Sequence, residues 1–550
     1  LNVTGQLEGD TQRYNTPGHS KWWSVAAPAK PIYSTVVDLK TGKADYGTKG
    51  GTSMAAPHVT GALGVIMQRY PYMNNAQIRE VLLTTARQVH DDFKEPADTR
   101  KISGFTAALG VPDERWGWGV VDLYKAMFGP GQLLGVFDVN LNSDDIYSNN
   151  ISDVAIKFRK TEDDAEAKIW TERKAELEKI ANLTPEQKAE LEIGNARERA
   201  RELRASEGYE GTLIKRGQGT LSLAGDNSYT GKTIIKGGKI TALNQSLKSS
   251  DVIVENGGAL EIVKQMSVPK VSRNKFTLQL SLVEVTKKSS NDVVKAIIKS
   301  GGSYIVSNGA SNLDLNFEKN SFINISEPSL EIMQRLYNDA TKSKTFTATG
   351  NFKGYEDTLS KEYAFFDLGK NYSDDKLELT LKKSKNTMTS IAANDNQKKV
   401  AQLIESTASR PALLASPFRS RPAVITSDLY RHFIYTTPKE ARQTLKTFAN
   451  EANLAQHNAF LLENIMLKNA VINHESDPFG IRASDSNGMK FWSNTMFDAM
   501  KFNDIKANSM TQLFGFDGNV NDAFTLGGVL GANSEKVKED GEEAYKTKGT

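Results

Sequence analysis

One serine in this chain sits where a hydroxyl could do chemistry. It lies in Gly51-Thr52-Ser53-Met54-Ala55-Ala56-Pro57-His58-Val59-Thr60-Gly61. A serine that attacks a carbonyl needs a base to take its proton, donors for the oxyanion that forms, and a backbone that holds its oxygen forward. The run can supply the last two. Gly51 lets a carbonyl approach the main chain, and Ser53 opens a helix whose first N–H groups have no internal acceptor. Those donors, with the positive helix end behind them, suit a developing negative charge. Pro57 is expected in the first turn, where its missing N–H costs nothing. Ala55, Ala56, Val59, Ala62, Leu63, Val65 and Ile66 make the helix apolar nearly all round, so burial is expected. The competing reading is an ordinary helix start with a capping serine.

The neighbouring elements must position that hydroxyl. Trp23-Ser24-Val25-Ala26-Ala27-Pro28 and Ile32-Tyr33-Ser34-Thr35 read as short strand-like pieces before it. Tyr70-Pro71 should stop the serine helix, and Asn75 can cap a second one. In that second helix Ile78, Val81, Leu82 and Thr85 recur at helical spacing, as in a helix that covers a parallel sheet. Trp116-Gly117-Trp118-Gly119-Val120-Val121-Asp122 reads as a glycine-containing closing turn.

In this order, these segments resemble the subtilisin-like serine proteases, the eleven-residue run most specifically. The resemblance implies an α/β fold and peptide-bond hydrolysis by an Asp-His-Ser triad in that chain order. Ser53 would be the nucleophile and its backbone N–H an oxyanion donor. The family's Asp, His and oxyanion Asn all lie well before the serine. Here only His19 precedes it, in Pro17-Gly18-His19-Ser20, without the Gly-Thr that follows the family's histidine; Asn2 and Asn15 come too late for the asparagine. His19 therefore reads as a loop residue, and His58, on the serine helix, as a packing residue. His90, His432, His457 and His474 show no metal-ligand spacing. The chain opens on Leu1-Asn2-Val3-Thr4-Gly5 without an initiator methionine or a signal peptide. That opening is expected of a strand already inside a fold. The expectation is a portion of a longer protease, inert alone because an unactivated serine is a poor nucleophile.

Composition sets outer bounds. With 550 residues the chain should hold several domains, and 42 Gly favour turn-rich β structure. A formal charge of +3 gives no reason to expect nucleic acid. The basic cluster Lys382-Lys383-Ser384-Lys385 reads as a solvated strand end. The absence of cysteine excludes a thiol nucleophile, thiolate metal sites and disulfides. No cofactor or metal is called, calcium binding being left open. No apolar run reaches the roughly 18 residues of a spanning helix.

Beyond residue 128 the texture changes. The peptidase portion is placed at 1–128 and a linker at 129–157, opened by Gly129-Pro130-Gly131. Residues 158–208 are rich in Glu, Lys, Arg and Ala, with Trp170, Leu177, Ile180 and Leu191 at helical spacing and Thr184-Pro185-Glu186-Gln187 as a cap. They read as a helical hairpin projecting from the rest as a solvated spacer. Over 209–390, short alternating runs such as Thr233-Ile234-Ile235 and Val252-Ile253-Val254 are separated by Gly237-Gly238 and Asn256-Gly257-Gly258. Rungs of that size stack into a parallel β-helix. The Gly219-Thr220-Leu221 and Asn227-Ser228-Tyr229-Thr230-Gly231 elements resemble the passenger repeat of bacterial autotransporters. A helical linker follows at 391–488, including a helix from Asn396 and a second with Thr437, Pro438 and Glu440 as its cap. Residues 489–550 read as the first strands of an outer-membrane β-barrel, about three of the eight or more that closure needs. Phe524, Leu526 and Leu530 share one face there, Thr525 and Gly527 the other.

The leading expectation is a serine endopeptidase of the cell surface or medium, carried on a β-helical stalk and exported through its own outer-membrane barrel. Its partners would be protein or peptide substrates and the outer membrane. The rival is a non-catalytic, adhesin-like passenger with a vestigial protease fold.

Overall fold

The computed structural model describes residues 16–29, 31–88, 105–273, 278–286, 288–289, 291–355, 359–360, 362–408, 433–449, 468, 471, 481–484, 489–502, 505–521, 524–539 and 545–549. Leu1–Gly5, Asn15, His90, His432, His457 and His474 lie outside them. Two compact units divide the chain: Leu1–Pro328 with Ser343–Lys361 and Leu368–Lys382, and Ser329–Lys342 with Glu362–Asp367 and Lys383–Thr550.

The first unit begins with a 3-10 turn, Gly18–Trp23, where a strand was expected at Trp23. Only Ala26 of that stretch bridges another strand-like residue, Val120. Strands β1 (Ile32–Val37) and β2 (Ala44–Lys49) form an antiparallel hairpin, so the described part of this segment shows a hairpin and isolated bridges rather than a parallel sheet. Helix α1 (Thr52–Arg69) follows, then α2 (Asn75–Thr84) and α3 (Leu123–Ala126). The cap of α2 is Asn74 rather than Asn75. Its side chain accepts from Gln77 N, while Gln77 returns a bond to Asn74 N. The face Ile78, Val81, Leu82 and Thr85 is buried as the spacing requires.

The expected burial of α1 is not observed: only Ala62 and Ile66 are buried. One stripe of the helix meets α2 and α3, while a Cβ added at Gly61 or Gly64 would touch nothing. Hydrophobic composition all round a helix fixes what it can bury, and only packed neighbours make it do so.

Trp118 organises the core of this segment. Its ring is buried with Leu83, Ala86 and Ala155, packs edge-on against Trp22, and donates from Nε1 to Trp22 O at 3.1 Å. The glycines flanking Trp118 have positive φ, +61° at Gly117 and +107° at Gly119. A Cβ at Gly119 would also collide with the Arg87 carbonyl. Gly119→Ala is therefore expected to destabilise by about 2 kcal/mol or more, read as a lowered thermal midpoint by tryptophan fluorescence.

Strands β3 (Val136–Asn140) and β4 (Asp145–Tyr147) lie within the span read as a linker. They are not a free connection: they pair in parallel with β5 (Thr212–Arg216) and β6 (Thr220–Leu223). Between them run α4 (Val154–Leu177) and α5 (Pro185–Ser206), the hairpin read at 158–208, with the Thr184–Gln187 capping box in place. The hairpin is docked, not free. Ala155 enters the Trp118 core, and Trp22 Nε1 donates to Glu162 at 2.7 Å.

From β5 the strands alternate between two sheets. They are β7 (Thr233–Ile235), β8 (Gly238–Ala242), β9 (Val252–Val254), β10 (Gly258–Ile262), the side hairpin β11 (Gln265–Arg273) and β12 (Leu278–Thr286), β13 (Val294–Ile298), β14 (Ser303–Val306), β15 (Ala310–Phe317) and β16 (Phe322–Ile325). Then come β17 (Ser343–Lys353), β18 (Leu359–Ser360), β19 (Phe366–Ser373) and β20 (Lys376–Lys383), where antiparallel pairing of β20 with β17 ends the parallel run. Strands β4, β6, β8, β10, β14 and β16 stack in one sheet, and β3, β5, β7, β9, β13, β15 and β17 in the other. Registers align buried side chains into ladders, such as Leu221, Ile240, Leu260, Tyr304 and Ile323. Asn227 and Tyr229 are buried, with Asn227 Oδ1 accepting from Ile151 N at 2.9 Å and Tyr229 Oη sharing a hydrogen with Thr233 at 2.7 Å.

Two charges sit inside these ladders. Lys215 is fully buried, and its ammonium donates to the carbonyls of Gly217, Gly219 and Gly237. Glu261 accepts from Lys239 at 2.8 Å and from Ser307 and Ser326 at 2.6 Å each. Burial works to raise the Glu261 carboxyl, but the Lys239 charge and these donors together hold it below its ordinary value. A carboxylate with a lowered folded-state pKa stabilises fully above its unfolded pKa, about 4.3, and that stability is lost as pH falls through the folded value. Glu261→Gln is expected to lower the unfolding midpoint at pH 7 and to flatten its decline below about pH 4.3, measured by thermal melts across pH 3 to 7.

In the second unit, helices Leu330–Asn338, Met388–Ile391 and Asp395–Ala408 are tied together by Glu405, which accepts from Tyr337 Oη at 3.0 Å and Met388 N at 2.7 Å, and helix Pro438–Phe448 packs against the latter two. The Thr437–Glu440 capping box forms as read. Strands β21 (Ile481–Ser484), β22 (Lys490–Phe502), β23 (Ile505–Asn521), β24 (Phe524–Glu539) and β25 (Tyr545–Gly549) make a five-stranded antiparallel sheet, where about three strands were expected. Registers place Phe491, Phe497, Met510, Phe514, Phe516 and Leu530 on one face. All six are exposed, whereas Trp492 and Leu513 on the other face are buried. Among the described residues no helix is long and apolar enough to cross a membrane.

Candidate active site

The chain enters the serine loop from β2. Gly51, with φ +138°, caps α1 and is tied back by its N–H to Ala29 O at 2.9 Å. That φ excludes a side chain, which makes the glycine a backbone requirement of the turn. Thr52 and Ser53 are the first two helical residues, so their N–H groups fall among the donors a helix leaves without an internal acceptor. Ser53 is exposed. Its hydroxyl and first-turn amides thus lie together at the positive end of an 18-residue helix.

Pro57 is not in the first turn. It is the sixth helical residue, where an N–H would have bonded the carbonyl four residues back. That carbonyl belongs to Ser53, so the ladder is interrupted at the candidate nucleophile itself.

The far end of α1 is anchored. Arg69 forms a two-point pair with Asp145 at 2.9 and 2.6 Å, and Tyr72 Oη donates to the same carboxylate at 2.6 Å. Tyr70 Oη donates to Ala126 O at 2.8 Å and accepts from Gly129 N at 2.6 Å. Burial pushes the Tyr70 phenol up to about 12, keeping it a neutral donor. Spacing along the sequence carried no sign of this lock, whose members come from α1, the turn after it and β4.

His19 is exposed on the 3-10 turn. His58 is also exposed, and its Nδ1 is 2.8 Å from Met54 O on its own helix, so it does not pack in a core as its position suggested. Among the described residues no hydrogen bond joins Ser53 to an imidazole, and no group of three His, Asp or Glu side chains converges as a metal site. Asp113, passed over in the sequence, closes the loop before Trp116. Burial works to raise its carboxyl, but the N–H groups of Thr106, Arg115 and Ala107 hold it below the ordinary range.

Residues 4–119, which include this serine loop, match the subtilase family. This segment belongs to the subtilases. Residues 213–242, covering β5 to β8, match the passenger-associated transport repeat. The chain is 27% identical over 432 residues to an extracellular serine protease of Serratia marcescens, spanning 70% of this chain and 36% of that protein. It is 31% identical over 247 residues to the autotransporter lipoprotein NalP of Neisseria meningitidis serogroup B, spanning 45% of this chain and 16% of NalP. The chain is also 35% identical over 91 residues to subtilisin E of Bacillus subtilis, spanning 16% of this chain and 23% of that protein. The chain therefore spans little more than a third of the length of the first of these relatives. A subtilase match followed by a passenger-repeat match supports a subtilisin-like autotransporter.

Proposed function

We propose that the protein is a serine endopeptidase in which Ser53 is the nucleophile and its backbone N–H one of the oxyanion donors. The observation that carries this reading is the position of Ser53: an exposed hydroxyl in the first turn of α1, after a glycine-capped loop, inside the subtilase match. An imidazole base would take the hydroxyl proton as Ser53 Oγ bonds the scissile carbonyl carbon, and would return it to the leaving amine. The negative charge on the carbonyl oxygen would be met by first-turn amides. The base and the carboxylate that orients it are assigned to no described residue.

The two-sheet coil is read as a parallel β-helical passenger. Its strict alternation between sheets and its transport-repeat match support this. The five-stranded sheet is read as part of an outer-membrane β-barrel, supported by the exposed apolar face of β22 to β24. Alternation of an apolar and a more polar face is what lipid outside and lumen inside demand. On this reading the protein works on protein or peptide substrates at the cell surface or in the medium, as the names of its relatives suggest.

The test is expression from the complete reading frame in a Gram-negative host, with casein hydrolysis assayed at the cell surface and in the medium. Hydrolysis that is lost in Ser53→Ala, with unchanged surface display, supports the reading. Normal display without Ser53-dependent hydrolysis overturns it in favour of a non-catalytic passenger.

A further inference from the structure

The helical hairpin encloses, with the subtilase segment, a pocket of about 400 Å³ that the proposed chemistry at Ser53 does not use. Trp22 and Trp23 come from the 3-10 turn, Arg79 and Glu80 from α2, and Arg159, Glu166, Arg197 and Arg204 from the hairpin. Its charges fall into two groups. Arg204 is held by Asp163 at 2.6 and 2.8 Å, and Arg159 by Glu162, Asp163 and Glu166. These are structural pairs, and they occupy Glu166. By contrast, neither Arg79 nor Arg197 makes an ion pair among the described residues. Arg79 lies instead over the Trp23 ring, 5.4 Å from its centroid.

Glu80, which neighbours Arg79 and feels its charge, is already engaged by the main chain. Its carboxylate accepts from Leu134 N at 2.9 Å, and burial pushes its pKa up to about 7. The pocket thus presents two guanidinium groups that no ion pair among the described residues holds, an indole that stays 68% exposed at Trp23, and an apolar floor of Leu83, Leu134 and Ile156. Planar guanidinium forks select carboxylates and other oxyanions. The indole and aliphatic surface favour an anion that carries an apolar neighbour, which a bare inorganic ion lacks.

We propose that this pocket binds an acidic peptide segment, its carboxylate held by Arg79 and Arg197 and an adjoining apolar side chain laid against Trp23. The proposal is independent of the chemistry assigned to Ser53. It gives the helical hairpin a role as one wall of a recognition site.

The experiment uses the full chain carrying Ser53→Ala, so that no peptide is cut. Tryptophan fluorescence is titrated with an end-blocked peptide of alternating glutamate and leucine, with its glutamine counterpart, and with inorganic phosphate. The expected result is a saturable change with the glutamate peptide that weakens about tenfold or more in Arg79→Gln and in Arg197→Gln. Lys168→Gln, an exposed change on the same hairpin outside the pocket, should leave it unaltered. Circular dichroism and the thermal midpoint check that each variant is folded. The proposal is overturned if the glutamate peptide gives no saturable change, if the glutamine peptide or phosphate gives the same change at the same concentration, or if folded arginine variants bind as tightly as the parent.

Discussion

Ser53→Ala in the protein expressed from its complete reading frame is expected to lower kcat/KM for peptide hydrolysis by about four orders of magnitude or more, with KM little changed. The size of the loss follows from the role. Removing the attacking oxygen abolishes the covalent route, while groove binding and oxyanion donors still give a small residual rate over water. A residue that only capped α1 would behave differently. Serine to alanine at a cap costs about 1 kcal/mol of stability, and the cap here is Gly51 rather than Ser53. Thr52→Ala, one residue earlier in the same turn, separates the two effects. It perturbs the helix start without touching the proposed nucleophile and should change kcat/KM far less than Ser53→Ala.

A second large effect is expected at the other end of α1. Arg69→Met should destabilise the joint between the subtilase segment and β4 by about 3 kcal/mol, because it strands a carboxylate that is buried in the native state. The Asp145 side chain is only 8% exposed, and without Arg69 it would keep the Tyr72 hydroxyl and the Ile146 N–H alone. Arg69 is 29% exposed, so part of its charge is already screened by water, and the lower end of the range for broken buried pairs is the appropriate figure. Asp145→Leu alone should cost a comparable amount, and the double substitution less than the sum of the two. Hydrogen exchange at Gly129 N, which donates to Tyr70 Oη, gives a local reading. It should accelerate in either single variant and recover part of its protection in the double.

Much of this architecture could be read from local pattern. The Ser53 loop, the Thr184 and Thr437 capping boxes and the alternating runs of β5 to β10 depend on a few consecutive residues. The physics that sets each is therefore written in one window of sequence. What escaped was long-range. Gly129-Pro130-Gly131 looks like a free turn, yet Gly129 is fastened to Tyr70 and Gly131 to Thr84. The charged hairpin looks like a solvated spacer. Its docking rests on Trp22 and Lys21 meeting Glu162, about 140 residues away in the chain. Pro57 was misplaced because the helix starts at Thr52, two residues before the start that would put the proline among the first four N–H positions, and the cap at Gly51 sets that start. The exposed side of α1 carried a subtler lesson, since apolar composition states a capacity for burial and not its occurrence.

Covalent labelling tests the central claim most directly. The protein expressed from its complete reading frame is treated with a fluorophosphonate, digested, and the adduct mapped by tandem mass spectrometry. A single phosphonyl group is expected on Ser53 Oγ, within the tryptic peptide that runs from Gly50 through Arg69, and none in Ser53→Ala. An adduct on a different serine, or none on protein that is folded and displayed, would contradict it.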